Sequence, residues 1–311
     1  TLSTIVAGAM HMARWNLTPA DRLIWIQDAL ALGISSFDHA DIYGDYTVQG
    51  LFGEALRLQP GLRQQMQLVS KCGIALQSDR QPDNRIKHYN TSAQYIRASV
   101  EGSLRALGTD RLDLLLIHRP DPLMDADEVA RCFEALRTTG KVLHFGVSNH
   151  SVQQFALLES RIRLETHQIE LSALQTQALS DGTLDQAQQL RRRPMVWSPL
   201  AGGRLFSAQD ERSTAVRHAL QAIAQAHGVS LATAACAWVL RHPSRPHLIT
   251  GTGRREGLTE VVLECDQHNF FLAQVLRQLC APTPLNFSHG GDTEHVVTRQ
   301  GDIWVDGIGH K

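Results

Sequence analysis

The feature that most constrains the fold of this chain is a regular alternation of short apolar runs with segments of helical spacing. Each apolar run has the length of a buried strand, and a helical pattern such as Leu23, Ile26 and Leu30 follows it. Alternating strands and helices predict a parallel sheet with crossover helices. Eight such units predict an α/β fold of the closed (β/α)8 type, the TIM barrel.

The apolar runs place the predicted strands, and the N-terminal caps place the predicted helices. Strands are expected at residues 5–10, 34–38, 68–71, 112–118, 142–147, 164–169, 194–198 and 247–251. Helices are expected to begin near Thr18, Thr47, Thr91, Asp125, Ser151, Leu184, Thr214 and Ser230. The long polar segment 73–90 is expected to be a surface or substrate loop.

Three of the predicted strands end on a titratable side chain. Asp38 ends the second strand, Lys71 the third and His118 the fourth, and Tyr43 follows Asp38 by five residues. In a barrel the C-terminal ends of all the strands meet at one rim. We therefore expect these four side chains to lie together at that rim.

The motifs around these residues resemble those of a known family. Phe37 to Gly44 reads FDHADIYG, residues 114–121 read LLLIHRPD, and residues 146–149 read GVSN. Together with Lys71, these motifs resemble the aldo-keto reductases, and in particular their bacterial ydhF-type branch, from Ile5 to Arg254. The resemblance implies a (β/α)8 barrel that reduces a carbonyl group with a nicotinamide cofactor.

The resemblance implies a catalytic role for each of the four rim residues. Reduction of a carbonyl by hydride leaves an alkoxide, and Tyr43 would protonate it as general acid. Lys71 would lower the pKa of the phenol, Asp38 would keep Lys71 charged, and His118 would orient the carbonyl. Each residue also has an ordinary structural role, Asp38 as a helix cap and Tyr43 or His118 in packing. The order and context of the motifs favour the catalytic roles.

The same resemblance implies where the cofactor would be bound. Ser148, Asn149 and Gln168 would hold its carboxamide, and Trp197 would stack on the nicotinamide; Asn149 is an equally good helix cap without the resemblance. The full set of implied contacts is Met10, Asp38, Ser148, Asn149, Gln168, Trp197, Ser198, Leu200, Gly202, Arg204, Gly251, Thr252, Gly253 and Arg254.

One part of that set bears on the choice between NADPH and NADH. Gly251 to Arg254 matches a family segment in which a hydroxyl and a cation hold the adenosine 2′-phosphate, so NADPH (NADP⁺) is the expected cofactor. Gly257 stands where the family pattern has an arginine, and this weakens the expectation. Arg255 is an alternative source of that positive charge.

Composition limits the partners of the chain. Its net charge is −1 over 311 residues, so no basic surplus favours nucleic acid or anionic lipid. No apolar run has the roughly 18–20 residues that span a bilayer, and no signal peptide is recognised. Five scattered cysteines are typical of reduced thiols in the cytoplasm. We expect a small-molecule carbonyl substrate, no nucleic acid, membrane or metal, and a monomer or weak oligomer.

The C-terminal segment does not follow the family pattern. We predict a barrel domain over residues 1–256 and a divergent segment over 257–311, with a helix near 270–279 and a hairpin near 295–305, packed on the barrel. Substrate would contact Trp15, Tyr46, the loops 73–90 and 119–124, and this segment. Two alternative functions stay open. The first is a nicotinamide-binding sensor or regulatory subunit with little turnover. The second is a barrel-derived protein that its C-terminal segment has disabled.

Overall fold

A computed structural model describes residues 1–267, 295–297 and 304–306, with side chains as far as residue 262. Its central feature is a closed barrel of eight parallel strands. The strands are β1 (Ile5–Gly8), β2 (Ser36–Asp38), β3 (Gln67–Cys72), β6 (Leu112–Ile117), β7 (Val142–Ser148), β8 (Thr166–Glu170), β9 (Met195–Trp197) and β10 (His247–Thr250). Neighbouring strands in the barrel follow chain order, and β1 pairs with β10 to close it. The predicted barrel is therefore confirmed.

Helices cover the outside of the barrel in the described part of the chain. They are α1 (Pro19–Ala31), α2 (Val48–Leu58), α3 (Ala93–Leu107), α4 (Ala126–Thr138), α5 (Val152–Glu159), α6 (Thr183–Gln189), α7 (Arg204–Ser207), α8 (Glu211–His227), α9 (Leu231–Leu240) and α10 (Arg255–Gln267). Capping boxes start two of them. Thr18 pairs with Asp21 at α1, and Ser151 pairs with Gln154 at α5.

Two local predictions differ from the structure. Ser92 caps α3 in place of Thr91, and both the backbone N–H and the hydroxyl of Thr91 donate to Asp121. The predicted loop 73–90 contains a short antiparallel pair, β4 (Ile74–Ala75) with β5 (His88–Tyr89). Two-residue strands do not contain enough residues to produce a recognisable alternation, so the sequence pattern does not reveal them.

Apolar side chains fill the barrel from the inside as well as covering it from the outside. The inner cluster consists of Val6, Val69, Leu114, Leu116, Met195 and Ile249. A second, larger cluster packs the outer faces of the strands against the helices. Because the interior is solid, a ligand site at the C-terminal rim has a floor of packed side chains, as in barrels generally.

The described C-terminal residues form two separate pieces. Helix α10 contacts α9 and α1, and it crosses the predicted domain boundary at residue 256. β11 (His295–Val297) pairs with β12 (Trp304–Asp306) in antiparallel fashion, where the sequence predicted a hairpin. The predicted helix 270–279 lies outside the described residues, and packing of this segment on the barrel stays a prediction.

None of the helices described here is by itself long and apolar enough to cross a bilayer. The pair α8 and α9 meets that test by length and composition only when the two are joined across a bend of 99°.

Candidate active site

The barrel brings Asp38, Lys71, Tyr43 and His118 together at the C-terminal rim. Asp38 is the last residue of β2, Lys71 lies near the end of the neighbouring β3, and Tyr43 lies in the turn after β2. The Lys71 ammonium donates to Asp38 Oδ2 at 2.7 Å, to the Tyr43 hydroxyl at 2.9 Å and to the His39 carbonyl at 2.8 Å. Lys71 is fully buried, so all three of its donors are used by the protein.

The buried pair determines the protonation state of Lys71. Burial alone would lower its pKa, but the Asp38 carboxylate and the Tyr43 hydroxyl outweigh this effect and the pKa is raised. Lys71 is therefore charged at neutral pH. An ion pair this deeply buried is retained only with complete hydrogen bonding, which Asp38 and its neighbours supply here.

Tyr43 differs from the expectation in one respect. Lys71 does act to lower the pKa of the phenol, but burial raises it more, and the pKa of Tyr43 is above its usual value. The hydroxyl therefore holds its proton at neutral pH. This is the protonation state that a proton donor needs.

His118 follows β6 and lies beside Tyr43. The two rings are 5.9 Å apart in an edge-to-face arrangement. Burial, and then the positive charges of Lys71 and Arg119, hold the pKa of His118 well below its usual value. The imidazole is neutral, and its Nδ1 has no partner among the described residues. A neutral imidazole offers one N–H donor, which suits a role in orienting a carbonyl oxygen.

The amide side chains predicted for the cofactor are linked to this centre. Gln168 donates to Asp38 Oδ1 at 2.8 Å, so it also holds the buried carboxylate. Asn149 has a left-handed backbone (φ 55°), donates to Ser148 Oγ and accepts from the Trp197 indole at 3.2 Å. Ser151 caps α5. The Asn149 side chain is thus used at the rim and does not cap the helix.

A cavity of about 360 Å³ opens above this centre. It is lined by Gly8, Met10, His11, Asp38, Tyr43, His118, Arg119, Gln168, Trp197, Ser198, Pro199, Leu200, Gly202, Gly203, Cys236, Ile249, Thr250, Gly251 and Val261. Ten of the predicted site residues are in this lining: Met10, Asp38, Tyr43, His118, Gln168, Trp197, Ser198, Leu200, Gly202 and Gly251. Lys71 lies behind them, bonded to Asp38 and Tyr43.

Some lining residues were missed and some predicted ones lie outside the cavity. His11, Cys236 and Val261 were not predicted, because a histidine in a loop and apolar positions on α9 and α10 look like any packing residue. Thr250 directly precedes the predicted Gly251, and this proximity could have identified it. Ser148, Asn149, Arg204, Thr252, Gly253 and Arg254 do not line the cavity.

The segment from Gly251 to Arg254 is held from behind by two tryptophans. The buried Trp25 indole donates to the Thr252 carbonyl at 3.2 Å, and Trp15 packs on Trp25 with ring centroids 5.1 Å apart. Trp15 also covers Gly253 so closely that a Cβ there would lie 2.5 Å from the indole. Trp15 was expected on the substrate wall, but it supports the predicted cofactor segment.

The structure also explains the unexpected glycine at 257. A Cβ at this position would lie 2.6 Å from the Thr252 hydroxyl, so a larger residue would displace Thr252. Arg255, the alternative source of positive charge, makes an ion pair of 3.1 Å with Asp28 on α1. Arg254 is exposed, and its own N–H donates to the Thr252 hydroxyl.

The barrel and its rim residues define the class of protein. The chain matches the Aldo/keto reductase family over residues 4–270, and it belongs to that family. It is an oxidoreductase that reduces carbonyl groups with a nicotinamide cofactor. The family match extends beyond the resemblance seen from Ile5 to Arg254.

Particular relatives refine this placement. Oxidoreductase YdhF of Escherichia coli (strain K12) is 49% identical over 263 residues, which is 84% of this chain and 87% of the relative. A 6-dehydroglucose reductase of Agrobacterium fabrum is 45% identical, covering 82% of this chain and 86% of the relative. The glycerol dehydrogenase AKR11B4 of Gluconobacter oxydans shares the fold with a TM-score of 0.75 at 24% identity, over 93% of this chain and 96% of that chain.

Proposed function

We propose that this protein is an NADPH-dependent reductase of a small polyhydroxylated aldehyde or ketone, with Tyr43 as the proton donor. The observation that carries the proposal is the contact of the Lys71 ammonium with both Asp38 and the Tyr43 hydroxyl. This contact connects a charged, fully buried lysine to a hydroxyl that lines the cavity.

In this mechanism the bound nicotinamide cofactor supplies the hydride that adds to the carbonyl carbon. Tyr43 donates its proton to the carbonyl oxygen as negative charge develops there. Lys71 favours the phenolate that remains, because its positive charge lies against the oxygen that loses the proton. The neutral His118 donates a hydrogen bond to the same carbonyl oxygen and so orients it before reaction.

The residues around the cavity are suited to such a cofactor. Gln168 in the lining, and Ser148 and Asn149 behind the lining residue Trp197, carry amide and hydroxyl groups of the kind that pair with a carboxamide. Gly202 and Gly203 have left-handed backbones and open space where a Cβ would be, which lets backbone N–H groups approach a phosphate.

Preference for NADPH would come from the segment before α10. Thr252 and Arg254 directly precede the first turn of this 13-residue helix, where the backbone N–H groups favour an anion. Arg254 is exposed and forms no ion pair with the described residues, so it is available to a 2′-phosphate. Arg255 is not equivalent, because it already pairs with Asp28.

The substrate class rests on the relatives. A protein 45% identical to this chain is a 6-dehydroglucose reductase, and this name describes a carbonyl compound rich in hydroxyl groups. In a lining that also contains apolar side chains such as Trp197 and Leu200, polar groups for such a substrate come from Tyr43, His118 and Arg119.

The substitution Tyr43→Phe tests the proposed mechanism. We expect turnover of D-glyceraldehyde with NADPH to fall on the order of 10²–10⁴-fold, the usual contribution of one general acid. The dissociation constant of NADPH, measured by fluorescence titration, should stay within a few-fold. Tyr95→Phe is a matched control, because it removes a hydroxyl that donates to the Ile74 carbonyl away from the cavity. Wild-type turnover in Tyr43→Phe would contradict the assignment.

A further inference from the structure

Arg119 is a charged residue of the cavity that the proposed mechanism does not use. It follows His118 directly, is half-buried, and lines the cavity next to Tyr43 and Trp197. Its guanidinium carbon lies 5.8 Å from the centre of the Trp197 ring, a distance at which a cation is attracted to the aromatic face.

Arg119 forms no ion pair within the described part of the protein, and the Glu170 carboxylate acts on it only from a greater distance. The two buried arginines each pair with a carboxylate, Arg22 with Glu54 and Arg63 with Asp113, both at 2.8 Å, whereas the half-buried Arg119 and Arg193 do not pair with a described carboxylate. No described carboxylate lies within ion-pair distance of Arg119. Burial lowers the pKa of Arg119, an effect opposed by Tyr43, Tyr89 and Glu170 nearby. Since a partly buried guanidinium is costly to leave unpaired, a ligand is the natural partner.

The hydrogen bonds of Arg119 leave donors free for such a ligand. Nη1 donates to the His118 carbonyl at 2.8 Å and reaches Ser148 Oγ at 3.4 Å. A guanidinium has five N–H donors in a planar fork, and the described residues accept none from Nε or Nη2. Two parallel donors of this kind fit two adjacent oxygen atoms better than a single one.

We infer that Arg119 is a specificity-determining residue whose guanidinium binds two adjacent oxygen atoms beside the reacting carbonyl of the substrate. Such a pair occurs as vicinal hydroxyls in a polyhydroxylated aldehyde and as the carboxylate of an oxo acid. The inference rests on the proposed function, because it assumes that the carbonyl is bound at Tyr43 and His118. Beyond the proposed function, the inference specifies which substrates this site selects.

The variants Arg119→Met and Arg119→Lys test this role with three aldehydes. D-Glyceraldehyde carries vicinal hydroxyls, glyoxylate carries a carboxylate, and propanal carries neither. Arg119→Met removes all the donors at similar length, while Arg119→Lys keeps the charge and loses the fork. Steady-state kinetics with saturating NADPH give kcat and KM for each pair, and titration gives the dissociation constant of NADPH in each variant.

In Arg119→Met we expect kcat/KM for D-glyceraldehyde or for glyoxylate to fall about ten- to a hundred-fold more than kcat/KM for propanal. Most of the loss should be in KM, and Arg119→Lys should recover only part of it. A selective loss with D-glyceraldehyde identifies hydroxyls as the recognised group, and one with glyoxylate identifies a carboxylate. If Arg119→Met does not fold, the same comparison in Arg119→Lys decides the matter.

An equal loss with all three aldehydes would overturn the inference, because it would mean that Arg119 only supports His118 and Ser148. That result would leave the proposed function intact, since wild-type protein would still reduce the aldehydes. If wild-type protein reduces none of the three, the proposed function itself fails and the role of Arg119 fails with it.

Discussion

At the scale of single residues, the centre of the site is organised by the fully buried positive charge of Lys71. Lys71 is fully buried, and its three hydrogen bonds fix the positions of Asp38, Tyr43 and the His39 carbonyl relative to one another. Gln168 adds a second donor to Asp38 from across the barrel. The geometry of the site is thus set by the protein itself, which lowers the cost of organising it during reaction.

The identity of these residues could be predicted from sequence, but their electrostatics could not. Strand-end positions in a parallel barrel determine that Asp38, Lys71 and His118 meet, so their proximity follows from the pattern alone. The balance of burial against charge at Tyr43 depends on how completely the neighbouring elements exclude water. No local pattern records that quantity. The expectation of a lowered Tyr43 pKa was therefore wrong, because it included Lys71 but not burial, which raises the pKa by more.

The choice of cofactor is predicted to depend on Arg254 and not on its neighbour. Arg254→Ala should weaken the binding of NADPH by about ten- to a hundred-fold, since a hydrogen bond to a charged group contributes roughly 1.5–3 kcal/mol. Binding of NADH, which lacks the 2′-phosphate, should hardly change. Arg255→Ala is the matched control, because Arg255 pairs with Asp28. Titration of both cofactors checks this, and equal losses for NADPH and NADH would argue against the role.

His39 is predicted to make the free energy of unfolding depend on pH in the acidic range. It is fully buried against Phe52, neither ring nitrogen has a hydrogen-bond partner among the described residues, and burial lowers its pKa to about 3. Between pH 3 and 6.5 His39 is protonated in the unfolded chain but stays neutral in the native state. The free energy of unfolding therefore falls as pH decreases, by up to about 1.4 kcal/mol per pH unit for one group.

The variant His39→Leu should remove this contribution. Urea denaturation between pH 5 and 6 should give a slope of unfolding free energy against pH that is smaller than wild type by about 1 kcal/mol per unit. Phe52→Leu disturbs the same ring contact without removing the titrating group, so it should keep the wild-type slope. Parallel curves for His39→Leu and wild type would contradict the prediction.

At the scale of helices and strands, prediction succeeded where a local signal exists. The capping boxes at Thr18 and Ser151 and the apolar runs of the barrel strands each have a short-range physical cause. Ser92 replaced Thr91 as the cap of α3 because Asp121, distant in sequence, holds Thr91. The support of Gly253 by Trp15 likewise depends on a contact between residues far apart in the chain, which sequence spacing does not encode.

Two glycines of α2 are predicted to respond in opposite ways to the same substitution. Gly53 faces α3, and an added Cβ would overlap the Ala106 carbonyl oxygen, so Gly53→Ala should force the helices apart. Overpacking of this kind costs about 1–3 kcal/mol. Gly50 has open space around it, and Gly50→Ala should stabilise the helix by roughly 0.5–1 kcal/mol. Thermal unfolding of both variants compares them, and similar shifts would show that α2 and α3 are not in close contact.

At the scale of the whole molecule, the cofactor site and the chemical step are predicted to be independent of the last part of the chain. The described residues that line the cavity lie between Gly8 and Val261, and the family match ends at residue 270. A protein truncated after Ala281 should therefore fold, bind NADPH and reduce a small activated aldehyde. Its preference among bulkier carbonyl compounds should change.

Circular dichroism, NADPH titration and turnover of a small aldehyde test the truncated protein. Loss of cofactor binding in a folded truncated protein would place part of the nucleotide site in residues 282–311. Unfolding of the truncated protein would instead assign a structural role to that segment.

The pair of tryptophans behind Gly253 gives the molecule an optical reporter of its own. The Trp25 indole is tied to the Thr252 carbonyl, and Trp15 lies directly on Gly253. Indole emission shifts with local polarity, so a movement of this segment would change the emission of these two residues. We expect a nucleotide titration of unlabelled protein to report such a movement, and because the chain has five tryptophans and Trp197 lines the cavity, comparison of Trp15→Phe with Trp197→Phe would assign the change to one place or the other.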